Sequence, residues 1–187
     1  MSDLDARALA FAYGGAHGRF GPAMIALTWL GSGWAALALL PLLGWPRTRR
    51  FATALALAVA AQAVCVWALK LAVGRVRPWI AMGLAAPLGA PRDGSFPSGH
   101  ASGSFCVAAF VSVALPAMWP SRGWRVRGVT VATIALASLV CVSRVYLGAH
   151  FPSDVLAGAM TGACFGAVAA EQFVSRRTVE RQPRAAR

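Results

Sequence analysis

Near the end of the chain, Ser143-Arg144-Val145-Tyr146-Leu147-Gly148-Ala149-His150-Phe151-Pro152-Ser153-Asp154 lies between two apolar runs and brings an arginine, a histidine and an aspartate together. A charged side chain deep in a bilayer costs at least about 2.5–3.5 kcal/mol, so ionisable residues beside runs of membrane length mark a functional site by default. His150 and Asp154 are four residues apart and share a face if a helix begins near His150. A carboxylate beside an imidazole fixes its tautomer and stabilises its charged form, which suits a nucleophile or a general base. The competing reading is a charged flank that ends a membrane helix.

Two earlier stretches carry the same kind of residue. Lys70, the only lysine, closes an apolar run, and Arg77-Pro78 follows. Seven residues are two helical turns, a rise of about 10.5 Å, so Lys70 and Arg77 are expected to point from one helical face toward one anion. Pro78 disfavours helix at Arg77 and sets the expected helix end there. Two cations snorkelling from a helix end are the plain alternative. Pro97-Ser98-Gly99-His100 stands just before another apolar run. Ser98 fits an N-cap, Gly99 permits close backbone approach, and the exposed N–H groups of a helix start form an anion site. His100 would sit beside that anion, able to donate a proton. An ordinary cap with a surface histidine is the plainer alternative.

The elements that must position these groups follow from hydropathy. The chain has 187 residues, 58% of them hydrophobic and 13% charged, and a mean hydropathy of +0.60. Soluble domains carry roughly 25% charged residues, so a membrane protein is indicated. Five apolar runs, Pro22–Leu43, Phe51–Val73, Gly99–Trp119, Val129–Tyr146 and Pro152–Val174, each approach the ~20 residues needed to span. The fold class is therefore all-α: a polytopic bundle of about five transmembrane helices. Residues 1–20 are too short and too polar to span and read as an amphipathic helix lying in the interface. Residues 1–174 form one membrane-embedded domain, and residues 175–187 a basic cytoplasmic tail, expected to be disordered. Gly158, Gly162 and Gly166 give the last run a small-residue face for close helix packing, with a homodimer seam as the alternative use. The net charge of +12 does not indicate nucleic acid, because the basic residues stand at the ends of apolar runs. Arg47, Arg49 and Arg50, then Arg122, Arg125 and Arg127, then the tail arginines fall on one side if all five runs span. The positive-inside rule makes that side the cytoplasm. Lys70, Arg77, His100 and His150 then face the opposite, periplasmic or extracellular side. Cys65, Cys106, Cys141 and Cys164 each lie inside an apolar run and read as buried small residues.

Together the three stretches read Lys-x6-Arg-Pro, Pro-Ser-Gly-His and Ser-Arg-x5-His-x3-Asp, in that order and on one face of the membrane. This pattern resembles the type 2 phosphatidic acid phosphatase family, which is related to glucose-6-phosphatases and vanadium haloperoxidases. Every defining position matches between Lys70 and Asp154. Many bacterial members have six spans, whereas the runs here number five. The resemblance implies that Lys70, Arg77 and Arg144 bind phosphate oxygens together with Ser98 and the Gly99 amide. It implies that His150 attacks phosphorus to form a phosphohistidine, that Asp154 orients it, and that His100 protonates the leaving oxygen. The implied enzyme needs no metal or cofactor, and its substrate is a lipid phosphate or diphosphate in the bilayer: polyprenyl diphosphate, phosphatidylglycerophosphate or phosphatidate. A metal-dependent membrane hydrolase, with His100, His150 and Asp154 as ligands, is opposed by the crowding of Lys70, Arg77 and Arg144 around a second cation. A small transporter is opposed by the grouping of the charges at one face rather than at the midplane.

Overall fold

The computed structural model describes residues 3–31, 43–46, 48–87 and 93–181. They form seven α-helices and one 3-10 turn, with no strand among the described residues: α1 Asp3–Ala12, α2 Gly21–Leu30, α3 Arg49–Val73, α4 Pro78–Ala81, α5 Gly99–Met118, α6 Gly123–Tyr146 and α7 Pro152–Arg181. The helices containing α3, α5, α6 and α7 are each long and apolar enough to cross a membrane. The first apolar run is described through α2 to Gly31; the rest of it lies outside the described residues. Large side chains such as Leu57, Trp67, Val131 and Met160 are exposed on these helices. Without water in the bilayer core, such residues face lipid and need no protein partner.

The last helix packs most intimately on α5. A Cβ on Gly158, Gly162 or Gly166 would fall 2.4, 1.9 and 2.2 Å from the carbonyl oxygens of Ser98, Ser102 and Cys106. Only glycine allows that approach, and in lipid, where helices gain nothing from leaving water, close backbone packing is a main source of cohesion. The glycine face is thus used within the chain. Ser102 Oγ and Gln62 Oε1 tie α5 to α3 by a buried hydrogen bond, satisfying two polar groups that lipid would not. At the end away from His150, Phe51 packs edge to face on Phe110, 5.1 Å between centroids at 77°, and on Phe173, while Phe110 and Phe173 meet at a tilt of 44°.

Three sequence expectations change here. Helix α3 ends at Val73, one turn short of Arg77, because Gly74 takes the left-handed conformation at φ +58° and returns its N–H to the Lys70 carbonyl. Lys70 and Arg77 therefore do not share one helical face. The N-terminal helix is docked rather than merely interfacial. Leu9 and Asp5 are buried against the rest of the chain while Leu4 and Phe11 stay exposed. Finally, the polar stretch after Val174 remains helical to Arg181. No glycine or proline interrupts it until Pro183, so the helix continues beyond the apolar run.

Candidate active site

The turn between α6 and α7 places His150. Gly148 adopts φ +67°, where a Cβ would also meet the Tyr13 ring at 2.9 Å. The chain then doubles back so that the Ala149 and His150 amides donate to the Arg144 carbonyl. Proline at 152 starts α7, a position where its missing N–H is no loss. Asp154, in the first turn, accepts from the Phe151 amide at 2.9 Å and caps the helix. His150 is 2% exposed and Asp154 fully buried.

His150 and Asp154 do not meet directly as hydrogen-bond partners: Nδ1 and Oδ2 are 3.8 Å apart. The imidazole Nδ1 lies 2.8 Å from the Ser95 carbonyl oxygen. A carbonyl only accepts, so Nδ1 carries the proton and Nε2 the lone pair. Arg77 Nη1 lies 3.3 Å from that Nε2 and is its donor. The Ser95 hydroxyl in turn donates to Asp154 Oδ2. Ser95 therefore stands between the two residues, its carbonyl on the imidazole and its hydroxyl on the carboxylate. Burial lowers the His150 pKa to about 4; the Asp154 carboxylate opposes the shift and the Arg77 and Arg144 guanidiniums reinforce it. At neutral pH the ring is uncharged and its lone pair available.

Three cations gather at this end of the bundle by separate routes. Arg77 is 3% exposed and donates from Nη1 to the Ala149 carbonyl at 3.0 Å. Lys70 and Arg77 converge through Asp93, at 2.8 Å from Nζ and 2.6 Å from Nη2. Burial works against the Asp93 charge, but hydrogen bonds from Lys70 and Arg77 prevail and hold the carboxyl below its usual range. Lys70 Nζ also donates to the Gly94 carbonyl at 2.6 Å. Arg144 differs. It is 6% exposed, its one side-chain hydrogen bond among the described residues runs from Nη1 to Thr28 Oγ1 at 3.3 Å, and its buried Nε has no partner. A buried guanidinium with unused donors has the chemistry of an anion ligand. Ser98 caps α5 by accepting from the Ala101 amide and is itself held by the Asp154 carbonyl at 2.9 Å. Gly99 and His100 open α5 beside it. The His100 side chain is partly exposed, makes no hydrogen bond among the described residues, and lies within electrostatic reach of Arg144, His150, Arg77 and Lys70. All eight residues singled out by the motifs thus fall at one end of the bundle. No three His, Cys, Asp or Glu side chains converge as metal ligands among the described residues.

Four contributors were not singled out. Arg75 donates to Asp154, to Ser153 Oγ at 2.7 Å and to Asp5 Oδ2 at 2.8 Å, and its guanidinium lies 4.4 Å over the Phe151 ring. Asp5, from α1, also accepts from the Ser153 amide at 3.0 Å. Ser95 and Asp93 complete the set. The chain has only six acidic residues, and three of them, Asp5, Asp93 and Asp154, are here. That scarcity was the available signal: in a chain so basic, each carboxylate near the motif face had a cation to meet. Nothing in the local sequence of Ser95 marks it.

Comparison with known proteins agrees with the geometry. Phosphatidylglycerophosphatase B of Bacillus subtilis is 38% identical over 94 residues, 50% of this chain and 44% of that protein. Decaprenylphosphoryl-5-phosphoribose phosphatase of Mycobacterium tuberculosis is 34% identical over 137 residues, 73% of this chain and 69% of that protein. The fold resembles the crystal structure of a transmembrane PAP2-type phosphatidylglycerolphosphate phosphatase from Bacillus subtilis, with a TM-score of 0.76 at 24% identity over 98% of this chain and 88% of that one. The sequence pattern of the PAP2 superfamily matches residues 51–178. That stretch runs from the first turn of α3 to the last turns of α7 and holds all three motifs and the side chains of Arg77, Ser95 and Asp154 that pair with His150, so the chain belongs to the PAP2 superfamily.

Proposed function

We propose that this chain is an integral-membrane phosphatase that removes a phosphate from a lipid phosphate or diphosphate through a phosphohistidine. The observation that carries the reading is the state of His150. Its Nδ1 proton is held by the Ser95 carbonyl, and its Nε2 lone pair faces the guanidinium of Arg77. The substrate's terminal phosphate exchanges with Asp93 for Lys70 and Arg77 and takes the unused donors of Arg144, with Ser98 and the Gly99 amide at the start of α5. Three cations and a helix N-terminus suit the equatorial oxygens of a phosphoryl transition state, where positioning and electrostatics dominate. His150 Nε2 forms a bond to phosphorus as the bond from phosphorus to the lipid oxygen breaks. His100 gives that oxygen a proton. Asp154, acting through Ser95 and its nearness to the ring, favours the imidazolium that develops. Water then attacks the phosphohistidine, His100 takes its proton, and inorganic phosphate leaves with His150 neutral again.

The substrate class is a lipid whose phosphate stands at the membrane surface while its tail stays in the bilayer. The names of the relatives, which act on phosphatidylglycerophosphate and on a decaprenylphosphoryl phosphoribose, support that class. Polyprenyl diphosphate, phosphatidylglycerophosphate and phosphatidate all fit. In detergent the purified protein should release phosphate from at least one of them in strong chelator, and vanadate should inhibit it. Activity that vanishes in chelator and returns with zinc or magnesium contradicts the mechanism. The arginine-rich connections support a cytoplasmic C-terminus, and with it a periplasmic or extracellular active site in a plasma-membrane protein. With the native cysteines removed, Arg92→Cys should react with an impermeant reagent on intact cells and Arg125→Cys should not. The reverse pattern inverts the orientation.

A further inference from the structure

Arg75 stands between α3 and α4, inside the spacer of the Lys-x6-Arg-Pro motif, and reaches both residues that flank the Nδ1 side of His150. Its backbone carbonyl accepts from the Ser95 amide at 2.8 Å, and the Ser95 carbonyl is the group on His150 Nδ1. Its guanidinium donates from Nη1 to Asp154 Oδ1. The other carboxylate oxygen, Oδ2, takes the Ser95 hydroxyl and the Phe151 amide and faces Nδ1 at 3.8 Å. Among the described residues no other arginine and no lysine forms an ion pair with Asp154. A fully buried carboxylate cannot fall back on bulk water, so these partners set its orientation. The guanidinium is itself fixed on three sides. It lies 4.4 Å over the Phe151 ring, donates to Ser153 Oγ at 2.7 Å and meets Asp5 Oδ2 at 2.8 Å. Asp5 comes from α1, and its carboxylate also takes the amide and the hydroxyl of Ser153. Just beyond α1, the Gly14 and Gly15 amides both donate to the Tyr146 carbonyl at 3.1 Å. The N-terminal segment thus grips the α6–α7 turn at two points, although it lies before residue 51, where the superfamily pattern begins.

We propose that Arg75 is a positioning residue for the phosphoryl transfer, holding Asp154 in place beside His150, and that Asp5 makes α1 part of that support. The inference rests on the phosphohistidine reading above. When Nε2 bonds to phosphorus and the lipid oxygen leaves with a proton from His100, the ring gains positive charge. Asp154 favours that charge most when it is already in place and need not reorganise. All the contacts of Arg75 lie on the Nδ1 side, whereas the lone pair for phosphorus is at Nε2 beside Arg77, so Arg75 acts through Asp154 and not on the phosphate. A guanidinium suits the task because its planar fork serves Asp154, Ser153 and Asp5 at once.

The test is the rate constant for forming the phosphoprotein from saturating lipid phosphate, in a single turnover by the full chain in detergent. A smaller folded fraction lowers the yield of phosphoprotein but not this rate constant, so a merely structural role leaves it unchanged. Arg75→Gln should slow the step by about 10–100-fold, the scale for partners that orient a metal-ligating histidine, and Asp5→Ala by about tenfold. Either substitution made in Asp154→Asn protein should slow it by only about twofold or less beyond Asp154→Asn alone, because nothing is left to position. Asp5→Ala leaves the Arg75–Asp154 pair in place, so it decides even where Arg75→Gln fails to fold. An unaltered chain that forms no phosphoprotein overturns the phosphohistidine reading and the inference with it. An unaltered chain that forms one, with a rate constant unmoved by Arg75→Gln or by Asp5→Ala, or lowered as much in Asp154→Asn protein as in the native background, overturns the inference alone.

Discussion

The two ends of this bundle are built on opposite principles. At the His150 end Arg77, Ser95, Ser98, Arg144, His150 and Asp154 are all buried, and directional bonds hold them. At the other end Phe51, Leu55, Phe110, Val111 and Ala114 form an apolar core, with arginines only at its mouth. Removing one partner from a buried polar network strands the other, so the first end is intolerant in chemistry. The second is intolerant in shape. The glycine face of α7 against α5 joins them, since both helices run from one end to the other.

This contrast predicts that turnover and stability separate by location. Asp154→Asn should cut turnover by about 10³-fold or more while the bundle stays folded, because an amide favours neither the imidazolium nor the bond from Ser95 in its present sense. Near-native turnover would reduce Asp154 to a helix cap. Phe110→Ala is the counterpart. It should cost about 3–5 kcal/mol of stability by opening a cavity between Phe51 and Phe173, with turnover of the surviving folded protein changed little. Thermal unfolding and turnover of both variants in the same detergent check the pair. A Phe110 variant that loses turnover without losing stability would erase the distinction between the ends.

Asp93 sharpens the comparison within the polar end. It is half exposed and pairs with two cations that the substrate needs. Asp93→Asn should lower KM by up to about fivefold, the scale of an exposed ion pair, with kcat nearly unchanged. A raised KM would mean that Asp93 positions Lys70 and Arg77 rather than competing for them. A smaller effect concerns pH. His150 is held to about 4 in the fold, against ~6.5 for an unperturbed histidine. Between those values the unfolded chain binds the additional proton, so stability is full above about pH 6.5 and falls as pH drops toward 4. Unfolding temperature against pH should show this decline, and His150→Gln should flatten it. An unchanged profile in the variant would assign the decline to other groups.

How much of this was legible in the sequence also divides by location. The motifs gave the residue types at the polar end because each combines a rare charge with a membrane-length run, and Ser98 was identified as the cap of α5 from its place before Gly99. The route by which Lys70 and Arg77 converge was not legible. A seven-residue spacing suggested one helical face, whereas Gly74 ends the helix and Asp93 gathers the two side chains. Nor was the part played by Ser95, because a backbone carbonyl that fixes an imidazole tautomer leaves no mark in residue type. Asp5 was hidden by distance: it reaches Ser153 across 148 positions, and local patterns carry no such information. Between the two ends the glycine period of α7 was readable, and α5 proved to be its partner.

The central claim is that His150 makes the bond to phosphorus and His100 only handles the proton. General acid catalysis typically contributes about 10²–10⁴-fold and matters when the leaving group needs a proton, as a lipid alkoxide does and a nitrophenolate largely does not. The decisive measurement is turnover of His100→Ala and His150→Ala on a lipid phosphate and on an aryl phosphate, with the acid and alkali stability of any trapped phosphoprotein. His100→Ala should lose most activity on the lipid, retain much more on the aryl phosphate, and give an acid-labile phosphoprotein. His150→Ala should be inactive on both and give none, because no nucleophile remains. Rescue of His150→Ala by the aryl phosphate would exchange the two roles and contradict the account.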